Sequence, residues 1–359
     1  MVYKEKRFFQ NRKKKIAKDR FTFFFYEIAL VFVFLFVLLI VPVSLIPLIA
    51  EEGSILYGIL FYLIRAIIIL LGIPLILYLT NLLFGSQKKI ILDEDISPSI
   101  GHLKMFKMTK KNYKYQFLYG FLLFFLVFLP IDFFTNLLVP EMLEYQAWAV
   151  SFTSTNSYLL ADNYLIFLIS VIIIQVSVAV TEEIISRGFL TKRGSVYFFK
   201  MSAVIISSLY FGLGHFAYFL NPISQFYPYW FPFVWFSQAF FIGIILALLV
   251  LRKKWIFPAI IAHALNNFVA AHAFWGFIRG IDFQIITLYL YYPLLIIGIM
   301  LLVWNYTKIK EGILTGYKVL KTYFRKDAEE DTKGDIIFRI FIDILLGGLI
   351  FLMGFLIAI

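Results

Sequence analysis

Long apolar runs recur along the whole chain, and each is long enough to cross a bilayer. A helix needs about 20 mostly apolar residues to span the hydrocarbon core. The sequence predicts nine such spans, at 22–50, 54–84, 117–139, 164–187, 201–220, 231–251, 256–278, 283–305 and 336–359. Hydrophobic residues make up 62% of the chain, far more than a soluble domain needs. The predicted fold class is therefore an all-α, polytopic transmembrane helical bundle.

Lys and Arg residues are concentrated in every second connecting segment, which is the pattern of a membrane protein with a fixed orientation. Of the 33 Lys and Arg residues, 30 lie before residue 21 or in 85–116, 187–200, 252–254 and 306–335. The loops between these segments carry only Arg279. Because positively charged loops stay in the cytoplasm, we expect a cytoplasmic N-terminus and an external C-terminus. The charged start of the chain is also unlike a cleaved signal peptide.

The composition excludes several kinds of chemistry. The net charge of +11 would suggest nucleic acid in a soluble domain, but in a membrane protein it reports topology and contact with anionic lipids. We therefore expect membrane lipids as partners and no nucleic acid, and we assign no oligomeric state. The chain has no Cys, which excludes disulfides, thiolate nucleophiles and cysteine metal sites.

Three segments divide the chain. Residues 1–114 hold a basic N-terminus and two spans, 115–305 hold the polar residues of interest, and 306–359 hold a basic linker and the last span. Within the linker, residues 311–325 place apolar side chains at helical spacing. This pattern fits either a helix lying in the cytoplasmic interface or a solvated basic linker.

Ionisable residues inside spans are costly, and by default they mark function. Some have a structural explanation. Arg339 and Asp343 are four residues apart and are expected to pair on one helix, and Asp132 is expected to be wet near an outer boundary. Arg65 is expected either to pair with a carboxylate or to extend toward the interface. His102 is expected in a polar cytoplasmic loop, and His272 in a packed or outer-boundary role.

The stretch TEEIISRGFL, residues 181–190, ends a long apolar run with two carboxylates and an arginine. Glu183 and Arg187 are four residues apart and can form an ion pair. Glu182 points about 100° away on the helix, so it needs another partner. A carboxylate in such a position is a candidate general base.

Two further segments supply groups that could act with Glu182. His215 lies in an otherwise apolar span, and His263 and Asn267 share one helix face. Any one of them alone would be read as a hydrogen-bond link between helices. Together they predict a site in which a carboxylate and an imidazole activate water while an imidazole and an amide hold an oxyanion.

The ordered set Glu182-Glu183-x-x-x-Arg187, Phe211-x-x-x-His215 and His263-x-x-x-Asn267 resembles the CPBP intramembrane proteases, the CAAX prenyl protease and bacteriocin-processing (Abi) group. The resemblance implies about eight core helices around a cytoplasm-facing cavity, with the ninth span as an addition. It implies that Glu182 activates water with help from His215, and that His263 and Asn267 form the oxyanion hole. Glu183 and Arg187 would support the site. The implied substrate is a membrane-anchored peptide, prenylated or not.

The cofactor prediction is either none or zinc. Glu182, His215 and His263 are the residues that could supply three zinc ligands, although no zinc signature such as HExxH is present. Two other functions stay open at this stage. One is a non-catalytic membrane protein of the same fold that acts in partner binding or immunity. The other is a transporter in which the buried carboxylates form a relay.

Overall fold

The computed structural model describes residues 2–84, 97–216, 228–326 and 331–358, with the backbone alone for residues 2–11 and 84. All regular structure in these ranges is helical, which confirms the predicted fold class. The first helices are α1 (Val2–Phe23), α2 (Leu30–Ser44), α3 (Ile55–Phe84), α4 (Pro98–Leu103), α5 (Tyr113–Leu123), α6 (Leu129–Leu138), α7 (Glu141–Ser151) and α8 (Tyr164–Glu183). They are followed by α9 (Lys192–Tyr197), α10 (Lys200–Leu213), α11 (Trp230–Lys253), α12 (Phe257–Ile278), α13 (Phe283–Ile286), α14 (Tyr292–Trp304), α15 (Tyr306–Lys321) and α16 (Lys333–Gly354).

Several π-helical turns each join two consecutive helices, and each joined pair continues as one long rod. These turns cover Phe24–Ala29, Phe124–Phe128, Ile184–Thr191 and Thr287–Tyr291. A π turn adds a residue to the helical repeat and so changes which side chains face a neighbour, and such turns are frequent at functional sites. The turn at Ile184–Thr191 directly follows Glu182 and Glu183 and contains Arg187.

Within the described residues, seven helical rods are long and apolar enough to cross a membrane. They are Arg12–Leu48, Ile55–Leu83, Tyr113–Leu138, Tyr164–Tyr197, Trp230–Lys253, Phe283–Trp304 and Lys333–Ile357. The protein is therefore an integral, multi-pass membrane protein.

Two of the nine predicted spans are not among these seven. The span at 201–220 corresponds to α10, whose 14 residues cover only about 21 Å at the α-helical rise. Residues 217–220 of that span lie outside the described residues. The span at 256–278 corresponds to α12, which has 22 residues but carries His263, Asn267 and other polar groups. Because α12 packs against α5, α7 and α8, protein surrounds much of it, and a uniformly apolar surface is not required.

The C-terminal helix α16 packs against α10 and α1, so the two ends of the chain meet. The expected pair between Arg339 and Asp343 is wrong. Asp343 instead forms an ion pair with Arg20 on α1, with 2.8 Å between its Oδ1 atom and Nε of the arginine. Arg339 donates to the backbone carbonyls of Tyr323 and Arg325. Burial explains the change, since both side chains of the Arg20–Asp343 pair are almost fully enclosed where the helices cross.

Two other polar residues are more enclosed than the sequence suggested. Asp132 is buried and accepts a 2.7 Å hydrogen bond from the hydroxyl of Tyr291, so the expectation of a wet carboxylate is wrong. His102 lies on the short helix α4 and is only 1% exposed, so its predicted position in a polar loop is wrong. His272 packs among aromatic rings and bonds the backbone of Phe268, in line with the expected packing role.

The linker segment forms α15, so it is helical where the sequence left two alternatives. Its apolar residues Ile313, Tyr317 and the following Phe324 are exposed. Val319 and Leu320 face the neighbouring α10 region, where Leu320 packs on a small apolar cluster. A helix with basic residues and a bare apolar face is suited to lie in a membrane interface.

Candidate active site

The two adjacent glutamates at the end of α8 have opposite environments. Asn163 caps the start of this helix by accepting from the backbone N–H groups of Leu165 and Ile166. Twenty residues later, Glu183 points inward and its side chain is fully buried, whereas that of Glu182 keeps 42% of its surface accessible. The difference follows from the helical rotation between neighbours. Glu182 is therefore the carboxylate that a water or a substrate can reach.

His263 on α12 lies between both carboxylates. Its Nδ1 atom is 2.9 Å from Oε1 of Glu183, and its Nε2 atom is 3.7 Å from Oε2 of Glu182. A carboxylate only accepts, so Nδ1 donates to Glu183. The 3.7 Å separation is too long for a direct hydrogen bond, but one water can bridge it. The imidazole is thus fixed on one side and open on the other.

Arg187 closes the buried side of this arrangement. Its Nε atom is 3.2 Å from Oε2 of Glu183, the contact that the four-residue spacing allows. The guanidinium carbon lies 4.1 Å from the centre of the Phe211 ring, a cation–π distance. Both members of the pair are fully buried, so removal of either would leave an uncompensated charge inside the protein.

Phe211 contacts three of the residues that the sequence singled out. Besides Arg187, its ring lies 5.7 Å from the ring of His263 and 5.8 Å from that of His215, in both cases edge to face. His215 follows the end of α10, and its Nδ1 is 3.3 Å from the carbonyl of Phe211. Among the described residues, His215 has no hydrogen bond to either glutamate. The structure thus connects His215 to the site through Phe211.

Asn267 lies one turn beyond His263 on α12 and is partly exposed. It has no hydrogen bond to any other residue that the structure describes, so its amide is available to a ligand. The ring of Phe128 stacks on the ring of His263, with the two ring centres 5.9 Å apart. This ring and Phe211 confine the imidazole between apolar walls.

Three residues that the sequence did not place in the site lie near Glu182. Arg65 on α3 lies within electrostatic range of the Glu182 carboxylate, and so do the hydroxyls of Tyr62 and Tyr210. Arg65 has no ion pair with it, and its Nε atom is buried without a hydrogen-bond partner in the described part of the chain. Its presence in a span was the available signal. The two tyrosines gave none, because the chain has 22 of them.

The side chains that could hold zinc do not form a ligand set in the described residues. No group of three or more His, Asp or Glu side chains there is close enough to hold a metal ion. His263 keeps Nε2 for a ligand, but His215 is linked to the site only through Phe211 in the described residues. The geometry therefore does not fit the set of Glu182, His215 and His263, and we derive no step through a metal.

The site thus consists of an accessible carboxylate beside an anchored imidazole inside a helical membrane bundle. Residues 164–269 match the family of Rce1-like type II CAAX prenyl endopeptidases. This match confirms the predicted resemblance to the CPBP and CAAX protease group over α8 and most of α12, where the polar residues lie. It supports intramembrane protease activity of the CAAX type. No curated protein and no solved structure matches the chain.

Proposed function

We propose that this protein hydrolyses a peptide bond of a membrane-anchored substrate, with Glu182 as the base that activates water. The observation that supports this role is the contrast between the two glutamates. Glu183 is buried and engaged by His263 and Arg187, whereas Glu182 is accessible and has an imidazole nitrogen 3.7 Å away. A water held between Glu182 and His263 would have a base on one side and a fixed partner on the other.

In the proposed reaction, the water oxygen attacks the carbonyl carbon of the substrate while its proton passes to Glu182. The carbonyl oxygen gains the negative charge, and the amide of Asn267 would donate to it, together with Nε2–H of a doubly protonated His263 whose charge Glu183 balances. Collapse of this intermediate breaks the C–N bond, and Glu182 returns its proton to the leaving amine. Atoms and charges balance with water as the only second reactant.

The remaining residues would position these groups. Glu183 and Arg187 would fix the orientation of the His263 ring, and Phe211 would keep His215 beside it. His215 would assist by contacting the water or the substrate when the site is filled. Groups held this way need little reorganisation during the reaction, which is a main source of catalytic rate.

The proposed substrate is a peptide tethered in the membrane near the cytoplasmic face. The family description names CAAX prenyl endopeptidases, so a C-terminal CAAX-type peptide with a prenylated Cys is the first substrate to test. The alternation of basic loops supports a cytoplasmic N-terminus and a site that opens toward the cytoplasm.

The test uses the full chain reconstituted in liposomes with a farnesylated, fluorogenic CAAX peptide. Glu182→Gln removes the base but keeps the shape of the side chain, and should lower cleavage by about 100-fold or more. Glu144→Gln, a change of the same type at an exposed position on α7, should cleave like the unchanged protein. Cleavage by Glu182→Gln at the unchanged rate would overturn the assignment of Glu182 as the base, and no cleavage by the unchanged protein would favour the non-catalytic alternative. An unprenylated peptide in parallel shows whether the lipid group is required.

A further inference from the structure

A basic pocket lies outside the candidate active site, where the first helix meets the linker helix. It has a volume of about 540 Å³ and is lined by Arg12, Lys15, Asp19, Ser195, Tyr197, Phe198, Phe199, Lys200, Met201, Val319 and Thr322. These residues come from α1, the α9–α10 turn and the end of α15. We propose that this basic pocket binds the phosphate of an anionic phospholipid headgroup.

The charges that face the pocket favour an anion. Arg12 forms an ion pair with Asp331 and is therefore already balanced. Lys15 and Lys200 are exposed and have no ion pair or hydrogen bond within the described ranges. Asp19 lies four residues from Lys15 on the same helix and offsets part of the charge. The net charge of the wall is still positive, and it comes from two ammonium groups on different helices.

The start of α10 adds a second attraction for a phosphate. This 14-residue helix begins at Lys200, and no side chain caps its first N–H groups. Phe199 and Met201 on either side of this position both line the pocket. Free N–H groups at a helix N-terminus attract anions, and the residues at the start of α10 line the same pocket as Lys15.

A lipid is the source of phosphate that the surroundings fit. One wall of the pocket is the end of α15, and Ile313 and Tyr317 of this helix expose apolar side chains, as does Phe324 just after it. Such a helix lies in the membrane interface, at the depth of the headgroups. Basic residues at the cytoplasmic surface of a membrane protein attract anionic lipids. A phospholipid can thus place its phosphate in the pocket and its acyl chains along the exposed apolar residues.

The experiment measures thermal unfolding of the full chain in a neutral detergent, with dioleoyl phosphatidylglycerol, dioleoyl phosphatidylcholine or inorganic phosphate added. Native mass spectrometry counts the lipids that stay bound. The pocket variant is Lys15→Ala with Lys200→Ala. The matched control is Lys308→Ala with Lys318→Ala, which removes two exposed lysines of α15 that do not line the pocket. A third variant, Lys15→Arg with Lys200→Arg, keeps both charges.

Phosphatidylglycerol should raise the melting temperature of the unchanged protein more than phosphatidylcholine does. The pocket variant should lose at least half of that rise and one bound lipid, while the control and the arginine variant keep both. Equal losses in the pocket variant and the control would mean that the lipid responds only to overall charge, and would overturn the proposal. An equal rise with inorganic phosphate would also overturn it, because the site would then hold free phosphate.

Discussion

His263 donates a 2.9 Å hydrogen bond from Nδ1 to Glu183, and this bond links the imidazole to a fully buried ion pair. Glu183 uses its two oxygens for different partners, one for His263 and the other for Arg187. On the buried side of the site, His263, Glu183 and Arg187 therefore form a line of contacts. His263 comes from α12, and the other two come from the end of α8 and the π turn that follows it. Only the outer end of this line, at Nε2 of His263, faces Glu182.

Glu183→Gln should destabilise the protein and also lower its activity. The amide keeps the size of the side chain but leaves the buried Arg187 without its counter-charge, and loss of one partner from a buried pair costs about 3–5 kcal/mol. The double variant Glu183→Gln with Arg187→Met removes the orphaned charge and should regain much of the stability. Its activity should stay low because His263 has still lost its carboxylate. Unfolding in mixed detergent micelles and peptide cleavage measure the two effects, and a double variant of full activity would contradict a positioning role for Glu183.

Phe211→Leu should reduce activity more than stability. Leucine fills much of the space, but it loses the ring face under Arg187 and the edge contacts with His263 and His215. Such aromatic and cation–π contacts are each worth about 0.5–2 kcal/mol. Phe23→Leu is the matched control, because Phe23 is equally enclosed but packs on Tyr197 and Phe198. Equal loss of cleavage in both variants would show that Phe211 has no specific role.

The sequence predicted much of this architecture for physical reasons that can be named. Long apolar runs indicate membrane helices because a helix satisfies its backbone hydrogen bonds within one segment, and the four-residue spacing of Glu183 and Arg187 allows their contact on one helix. The relation of His263 to the glutamates could not be obtained this way. The two segments are about 80 residues apart, and their contact depends on how α12 packs against α8.

Other interpretations failed because they used only local spacing. Arg339 and Asp343 have the right separation for a pair, yet Asp343 contacts Arg20 from the far end of the chain. Local spacing shows which contacts are available, whereas burial at helix crossings decides which are made. Asp132 illustrates the same limit, since its partner Tyr291 belongs to a π turn that no pattern in the sequence announces.

Arg20→Met should loosen the contact between the two ends of the chain. Arg20 donates to Asp343 and to Ser202, and Asp343 is completely buried. The single variant leaves this carboxylate without its cation, at a cost of about 3–5 kcal/mol. The variant Arg20→Met with Asp343→Leu removes both charges and should be clearly more stable than Arg20→Met. Detergent unfolding and limited proteolysis of the 306–335 linker report the change, and a double variant no more stable than the single one would contradict the ion-pair explanation.

The stability of the protein should fall as the pH is lowered below neutrality, in part because of His102. This residue lies on α4, outside the seven membrane-crossing rods, with its Nδ1 3.2 Å from the carbonyl of Gly188 and its Nε2 buried without a partner. Burial lowers the pKa of His102 from 6.5 to about 4, so between these values the unfolded chain binds a proton that the native protein excludes. Stability contributed by the neutral ring is present above pH 6.5 and is lost as the pH falls toward 4.

His102→Asn keeps a polar group that can bond Gly188 but cannot take up this proton. The melting temperatures of the unchanged protein and the variant should therefore converge between pH 7 and 4, which are about the limits of the titration. The loss for the unchanged protein amounts to on the order of 3 kcal/mol over that range. The other three histidines are present in both proteins, so the difference between the two curves isolates His102. Curves that stay parallel across this range would show that His102 is not held neutral by its burial against the turn that carries Arg187.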